Sequence, residues 1–447
     1  MRKQSPIAAP SPKDTRRDHE TVANPSLPTV PPARRRNSAF RLIVRLIALA
    51  VTIVLLLPLL PWHWTPMVPL AVSPYVAIAG AIATRSLGLA FLVALPVLLI
   101  VLVRRRFFCR WLCPTGLLLE QAGHLHRWGP RRAFPLFPVG QWIVILTLAG
   151  AILGYPLLLW LDPLSLLAGA LGIALGPTAG TWAALSAGGL GLLLLLSLFW
   201  PGTWCLRICP LGATQELLYQ PAKLIRQRQA RATVEDEAED ADDVDALPPR
   251  PKDVRAWPLA RRALLGAGLG LAGAAVARRA GAQSPPTLLP PGAADVEQFA
   301  GQCIRCGNCV RACPAGILHP DLGTQGVWHL LAPVVRIETD YCRENCNRCA
   351  EVCPSGAIHP FHLSEKPQQR IGVAKFNEVI CLLTEDRECG ICKGHCPYDA
   401  ITLVFSEVDY LVRVKVDAEK CPGCGACQAV CPTSPEKAIL VVPNRAS

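Results

Sequence analysis

The chain has 447 residues, 51% of them hydrophobic, with a positive mean hydropathy of +0.32 and a formal net charge of +12. An apolar excess at this length predicts membrane spans and two or three domains. The basic surplus lies beside hydrophobic runs, where the positive-inside rule accounts for it, so no nucleic-acid partner is expected. All 20 cysteines belong to motifs that end in Cys-Pro, which leaves none for ordinary core packing or a stray disulfide.

Residues 1–39 are rich in Pro, Arg, Ser and Ala without apolar periodicity, and are expected to be a disordered cytoplasmic tail. A membrane domain is expected over 40–220. Its first span is about 42–60, and Arg34, Arg35, Arg36, Arg41 and Arg45 crowd its start, which puts the N-terminus in the cytoplasm. Residues 61–74 carry no Lys or Arg but hold Trp62, His63 and Trp64, as an outer interface would. A second span, about 87–103, exits into Arg104-Arg105-Arg106. Arg85 near its outer end reads as a snorkelling arginine or as a quinone head-group contact.

Cys109-Arg-Trp-Leu-Cys113-Pro114 follows, on the cytoplasmic side. A third span is expected at about 142–161, an apolar interfacial stretch at 163–179, and a fourth span at about 182–200 that returns to Cys205-Leu-Arg-Ile-Cys209-Pro210. Two C-x3-C-P half motifs therefore end two even-numbered spans. If their loops meet, Cys109, Cys113, Cys205 and Cys209 provide four ligands for one further membrane-side iron–sulfur cluster. Redox-active thiols and a structural loop are the other readings of this pattern.

Residues 221–257 turn from basic to strongly acidic (Glu235 to Asp245) and then Pro-rich, and are expected to be a solvated linker. Arg261-Arg262 leads into a Gly/Ala-rich segment, 258–283, which resembles a twin-arginine export signal; an ordinary fifth span is the alternative. Either way the chain crosses outward. Ala280-Gly-Ala282 resembles a cleavage step. Gly268-x-Gly270-x-x-Gly273 matches a dinucleotide fingerprint as a string, but no strand precedes it, so small residues in a crossing helix explain it better.

After a Pro-rich linker, 284–297, the stretch 298–447 holds sixteen cysteines in four groups. Cys303, Cys306, Cys309, Cys313 and Cys421, Cys424, Cys427, Cys431 follow C-x2-C-x2-C-x3-C-P, the run that ligates [4Fe–4S] clusters. Cys342, Cys346, Cys349, Cys353 and Cys381, Cys389, Cys392, Cys396 stretch the first spacing and keep the tail. Zinc ribbons do not call for a third cysteine two residues on, or for a fourth followed by Pro. A helical turn is expected between the third and fourth cysteine of each group, with a strand start after each Cys-Pro. Four motifs predict four clusters in two pairs, joined either consecutively or nested. The long loop between Cys381 and Cys389 reads as solvated. The histidines His319, His329, His359, His362 and His395 are not needed as ligands.

With these motifs placed, the chain resembles a fusion of two ferredoxin-type families. Residues 40–220, with four spans and two half motifs, resemble the membrane proteins NapH and MauN. Residues 258–447, with the twin-arginine-like segment and four cluster motifs, resemble NapG and MauM. The expected fold is a membrane α-helical bundle of four spans plus a fifth twin-arginine-like span, followed by an α+β ferredoxin-like domain of duplicated dicluster folds. The resemblance implies a multi-pass protein of the bacterial inner membrane with its ferredoxin domain in the periplasm. It implies electron flow from the quinol pool, quinol being the donor, to a periplasmic oxidoreductase or cytochrome. An accessory role, supplying electrons to mature or repair a periplasmic metalloenzyme, is the alternative function.

Overall fold

The computed structural model describes residues 33–57, 62–125, 137–174, 181–239, 256–282, 286–385, 388–407 and 410–443. Residues 1–32 of the expected disordered tail, 240–255 of the expected linker and the residues after the Ala282 step (283–285) lie outside them, while 33–39 of the tail are helical and not disordered. The chain divides into two compact units, Met1–Leu42 and Ile43–Ser447. Of the first, only the start of helix α1 (Ala33–Leu56) is described. The second contains everything that follows.

Within α1, Ala39–Leu56 is the one helical stretch among the described residues long and apolar enough to cross a membrane, with a mean hydropathy of 2.4. The expected outer loop, 61–74, contains the short helix α2 (Val68–Ala71), and after a sharp bend at Ser73 α3 (Pro74–Thr84) leads on from it. Ser73 caps α3, and Pro74 fits its first turn, where no N–H is needed. Two of the remaining expected spans are shorter than a bilayer needs, α4 (Leu89–Val103) and α7 (Val139–Ile152), and the fourth forms α9 (Thr181–Phe199). The third expected span stops at Ile152 because Gly154, at φ +78, turns the chain. The stretch expected along the interface forms α8 (Pro163–Ala174), whose Leu164, Leu167 and Ala168 are buried against α9.

The half motifs come as a structural repeat. α4 leads through a short helix α5 (Phe107–Trp111) to Cys113, which caps α6 (Pro114–His124). α9 leads through a π-helical turn, Trp204–Ile208, to Cys209, which starts α10 (Pro210–Glu239). Each outgoing helix packs on the other repeat's incoming one, α6 on α9 and α10 on α4. α10 runs on to Glu239, so the first part of the expected linker is helical.

α11 (Ala256–Ala282) lies along α7. The contact is close because Gly270 faces the Leu146 carbonyl and the Ala149 side chain, where a Cβ would stand 2.7–2.8 Å away. Gly270 and Gly273, where a Cβ would stand 3.1 Å from the Leu157 side chain, thus serve helix packing, while Gly268 faces open space. The outer surface of the helical half is strongly apolar. Ile43, Ile47 and Val51 on α1, Leu92 and Leu99 on α4, and Leu265 and Leu269 on α11 are at least half exposed.

The cysteine-rich half is built from short elements around two cores. After α12 (Val296–Gln302), each motif carries its expected helical turn: α13 (Asn308–Ala312), α14 (Arg348–Glu351), α15 (Ile391–Gly394) and α16 (Ala426–Val430). Three two-stranded antiparallel ribbons join them. β1 (Leu318–Pro320) pairs with β2 (Pro333–Val335), β4 (Ile401–Phe405) with β5 (Val412–Val416), and β3 (Val373–Phe376) with β6 (Ile439–Val442). Pro-rich residues 286–295 are not a free linker, since Leu289 is buried and Ala293 bridges to Ile358.

Candidate metal centres

All twenty cysteines are free thiols. In the C-terminal half they gather in four quartets, each made of three cysteines from one motif and the last cysteine of its neighbour. Cys303, Cys306 and Cys309 line one cavity with Cys353. Cys342, Cys346 and Cys349 line the next with Cys313. Cys381, Cys389 and Cys392 do so with Cys431, while Cys421, Cys424 and Cys427 stand around Cys396. Pairing is therefore consecutive, first motif with second and third with fourth. Spacing alone left a nested arrangement open.

The quartets adjoin one another in a single order. Cys309 neighbours Cys349. The Cys342 amide donates to the Cys424 carbonyl at 2.9 Å, which joins the second quartet to that of Cys421. Cys427 neighbours Cys392 and so reaches the quartet of Cys381.

The donors fit iron–sulfur clusters. The thiols surround voids and do not close on one point; among the described residues no group of three or more His, Cys, Asp or Glu is set to hold a single metal ion. Backbone amides are aimed at the sulfurs, Ile358 N–H at Cys353 Sγ and Ala400 N–H at Cys396 Sγ, both 3.4 Å. Burial pushes the Cys306, Cys349, Cys424 and Cys427 thiols up to about 12. Cys303 reaches about 11, because nearby Arg305 opposes burial. At Cys431 burial also raises the thiol, but hydrogen bonds from Thr433, Ala438 and Ile439 outweigh it and hold it below its ordinary value.

Lys366 is a participant that spacing did not reveal. It is 3% exposed, and its ammonium donates to Cys342 Sγ at 3.3 Å and to the Cys346 carbonyl at 2.7 Å. A lysine thirteen residues from the nearest cysteine, Cys353, carried no signal in the motif pattern. Arg305 is a second. It takes φ +57, a conformation that its counterpart in the fourth motif, Gly423, adopts without cost. In return its guanidinium donates to the Leu330 and Trp328 carbonyls at 2.6 and 2.9 Å and lies over the Trp160 ring.

Trp160 belongs to the helical half, and it is one of several anchors there for the first quartet. Arg311 donates to the Leu56 carbonyl at 2.8 Å, Asn308 to that of Pro66 at 3.0 Å, and Gln302 to that of Gly154 at 3.2 Å. Ile304 and Cys306 belong to the same buried core as Cys113 and Cys209.

The half-motif cysteines do not sit on an exposed cytoplasmic loop. Cys113 and Cys209 are buried, and Cys109 and Cys205 pack against the same core. Contacts across the repeat draw the two turns together. Gln215 on α10 donates to Cys109 Sγ at 3.0 Å and accepts from the Phe108 amide, while Arg106 donates to the Cys205 carbonyl. Cys109, Cys205 and Cys209 lie within reach of one another's charge, with Cys113 beside them. Arg45, buried within α1, pairs with Glu120 and reaches the Cys113 turn at Gly116.

α8 spans the gap between the two kinds of site. At its start Thr115, two residues past Cys113, donates to the Pro163 carbonyl at 3.0 Å. Six residues on, Gly169 meets the Arg305 carbonyl. At 1.5 Å per residue the separation along the helix is about 9 Å.

A family described as a 4Fe-4S dicluster domain matches residues 302–357 and 387–434. A second, described as a 4Fe-4S binding domain, matches 86–132 and 182–230, the two halves of the helical repeat. The methylamine utilization ferredoxin-type protein MauM of Methylophilus methylotrophus is 36% identical over 172 residues, 36% of this chain and 74% of the relative. The ferredoxin-type protein NapG of Escherichia coli is 34% identical over 173 residues, 35% of this chain and 70% of that protein. The ferredoxin-type protein NapF of Escherichia coli is 30% identical over 148 residues, 33% of this chain and 81% of the relative. No solved structure matches the chain.

Proposed function

Because the chain belongs to the family of MauM- and NapG-type ferredoxin-type proteins, whose work is iron–sulfur electron transfer, we propose that it is a membrane-anchored electron wire fed by quinol. In this reading Cys303, Cys306, Cys309 and Cys353 hold one [4Fe–4S] cluster, and the other three quartets hold three more. Cys109, Cys113, Cys205 and Cys209 hold a fifth, inside a membrane bundle of the NapH and MauN type fused to the same chain. Such clusters supply one-electron steps at potentials that the surrounding charge and hydrogen bonds tune. The protein's share is to deprotonate and position the thiols, to exclude water and to order the sites.

The observation that carries the proposal is the bridge of α8 between the half-motif turn and Arg305, about 9 Å of helix by its rise per residue. It supports continuity from the helical half to the first quartet. The apolar outer faces of α1, α4 and α11 support a lipid surround for the helical half. In this topology the cysteine-rich half lies in the periplasm, and the quartet of Cys381, Cys389, Cys392 and Cys431 is the delivery end, facing a periplasmic oxidoreductase or cytochrome.

Iron and sulfide quantification with EPR redox titration tests the cluster count. Wild-type protein should carry about five clusters of four irons, by the ligand count of one cubane per four thiolates. A Cys109→Ser, Cys205→Ser variant should lose one signal and keep the rest. An unchanged spectrum in that variant removes the membrane-side cluster.

A further inference from the structure

The turn that carries Cys109 is flanked by a cavity of about 570 Å³ that none of the quartets uses. Small-ligand pockets span roughly 300–1,000 Å³. Arg104, Arg110 and Arg226 line it, and Val103, Phe107 and Trp111 form an apolar wall.

Its charge is unbalanced. The nearby acid, Glu216, is already engaged by Arg105 at 2.6 Å and by Arg106 at 3.0 Å. Among the described residues the guanidinium groups of Arg104 and Arg110 make no hydrogen bond or ion pair. Arg226 reaches only the Tyr219 hydroxyl and the Val103 carbonyl, each at 3.4 Å. Guanidinium forks match multi-oxygen anions such as phosphate, which accept several donors in one plane. The apolar wall continues into the exposed face of α4, where Leu99, Leu102 and Val103 are open to the surroundings. A ligand that satisfies both surfaces has an anionic head and an alkyl tail.

We propose that this cavity holds the phosphate headgroup of an anionic phospholipid, with an acyl chain lying along α4. The inference rests on the reading that the helical half sits in a membrane. Basic pockets between helices at the arginine-rich face of a membrane protein suit such lipids. A neutral quinone head offers no charge to set against three guanidiniums, and inorganic phosphate leaves the apolar wall unused.

The test is native mass spectrometry of the full-length, cluster-loaded protein, titrated with phosphatidylglycerol and with phosphatidylcholine of the same chain length. The expected result is one phosphatidylglycerol retained at least about tenfold more tightly than phosphatidylcholine, given a gain of about fivefold per engaged arginine. An Arg104→Gln, Arg110→Gln, Arg226→Gln variant should lose the preference, the corresponding Lys variant should keep most of it, and Arg85→Gln, remote from the cavity, should leave it unchanged. Should the triple variant lose iron, Arg110→Gln alone takes its place, with a several-fold loss expected. A wild type without headgroup preference, or a preference that survives the Gln variants, overturns the proposal. Displacement of the lipid by equimolar inorganic phosphate, or by a short-chain quinone, reassigns the cavity and overturns it as well. Failure of the membrane reading is distinct, since it would show as wild-type protein released from membranes by alkaline carbonate.

Discussion

Single residues set the properties of individual quartets, and Lys366 shows how. Its ammonium is buried against Cys342 Sγ, so its positive charge stabilises the more negative, reduced state of whatever cluster Cys342 ligates. A hydrogen bond to a charged group contributes about 1.5–3 kcal/mol, which for one electron is about 60–130 mV. Lys366→Met should therefore lower the potential of the quartet formed by Cys313, Cys342, Cys346 and Cys349 by that order, with the other quartets unmoved. EPR redox titration of the variant reads this directly, and an unshifted potential would show that the ammonium is only a structural tie to Cys346. At this scale the grouping of the sixteen thiols was legible in the sequence, because a cubane would demand a fixed local spacing. Lys366 and Arg305 were not, since their roles depend on where distant segments meet: Lys366 against Cys342, and Arg305 against Trp328, Leu330 and Trp160.

Elements place the sites, and their close approaches are specific. Gly140 on α7 faces the Cys209 turn so tightly that a Cβ would stand 2.9 Å from the Ile208 and Cys209 carbonyls. Gly140→Ala should push α7 off that turn at a cost of about 1–3 kcal/mol, the usual range for overpacking. The expected outcome is a lowered melting temperature and loss of the membrane-side signal with the four C-terminal quartets intact; an unchanged iron count would mean that the turn tolerates displacement. The helical turns and most strand starts of the C-terminal half followed from local residue order: α13 and α16 lie where the third-to-fourth cysteine spacing put them, and β4 and β6 begin at Ile401 and Ile439, whereas after Cys353-Pro354 Ile358 makes only an isolated bridge to Ala293. The helical half was less legible. Apolar runs of similar length become a helix long and apolar enough to cross a membrane in α1, a bent pair in α2 and α3, and a buried packing helix in α8, and periodicity does not separate these fates. The length of α10 was hidden because its polar, charged residues give no apolar stripe.

Across the whole molecule the quartets follow one line. The first is anchored on the helical half through Arg311, Asn308 and Arg305, and the line continues through the Cys342–Cys424 contact to the quartet of Cys381. The sequence left a gap between the half motifs and Cys303, because the positive-inside pattern put the half motifs at a membrane face. The repeat folds its two turns inward, into one core with Cys306. In the proposed wire, electrons enter through those buried turns. Anaerobic mixing of the reconstituted protein with a quinol analogue, followed by EPR, tests it most directly. Wild type should show its C-terminal clusters reduced, while the Cys109→Ser, Cys205→Ser variant should keep those clusters but leave them oxidised under the same quinol. Reduction of the variant at the wild-type rate, or intact wild-type clusters that quinol never reduces, would contradict the account.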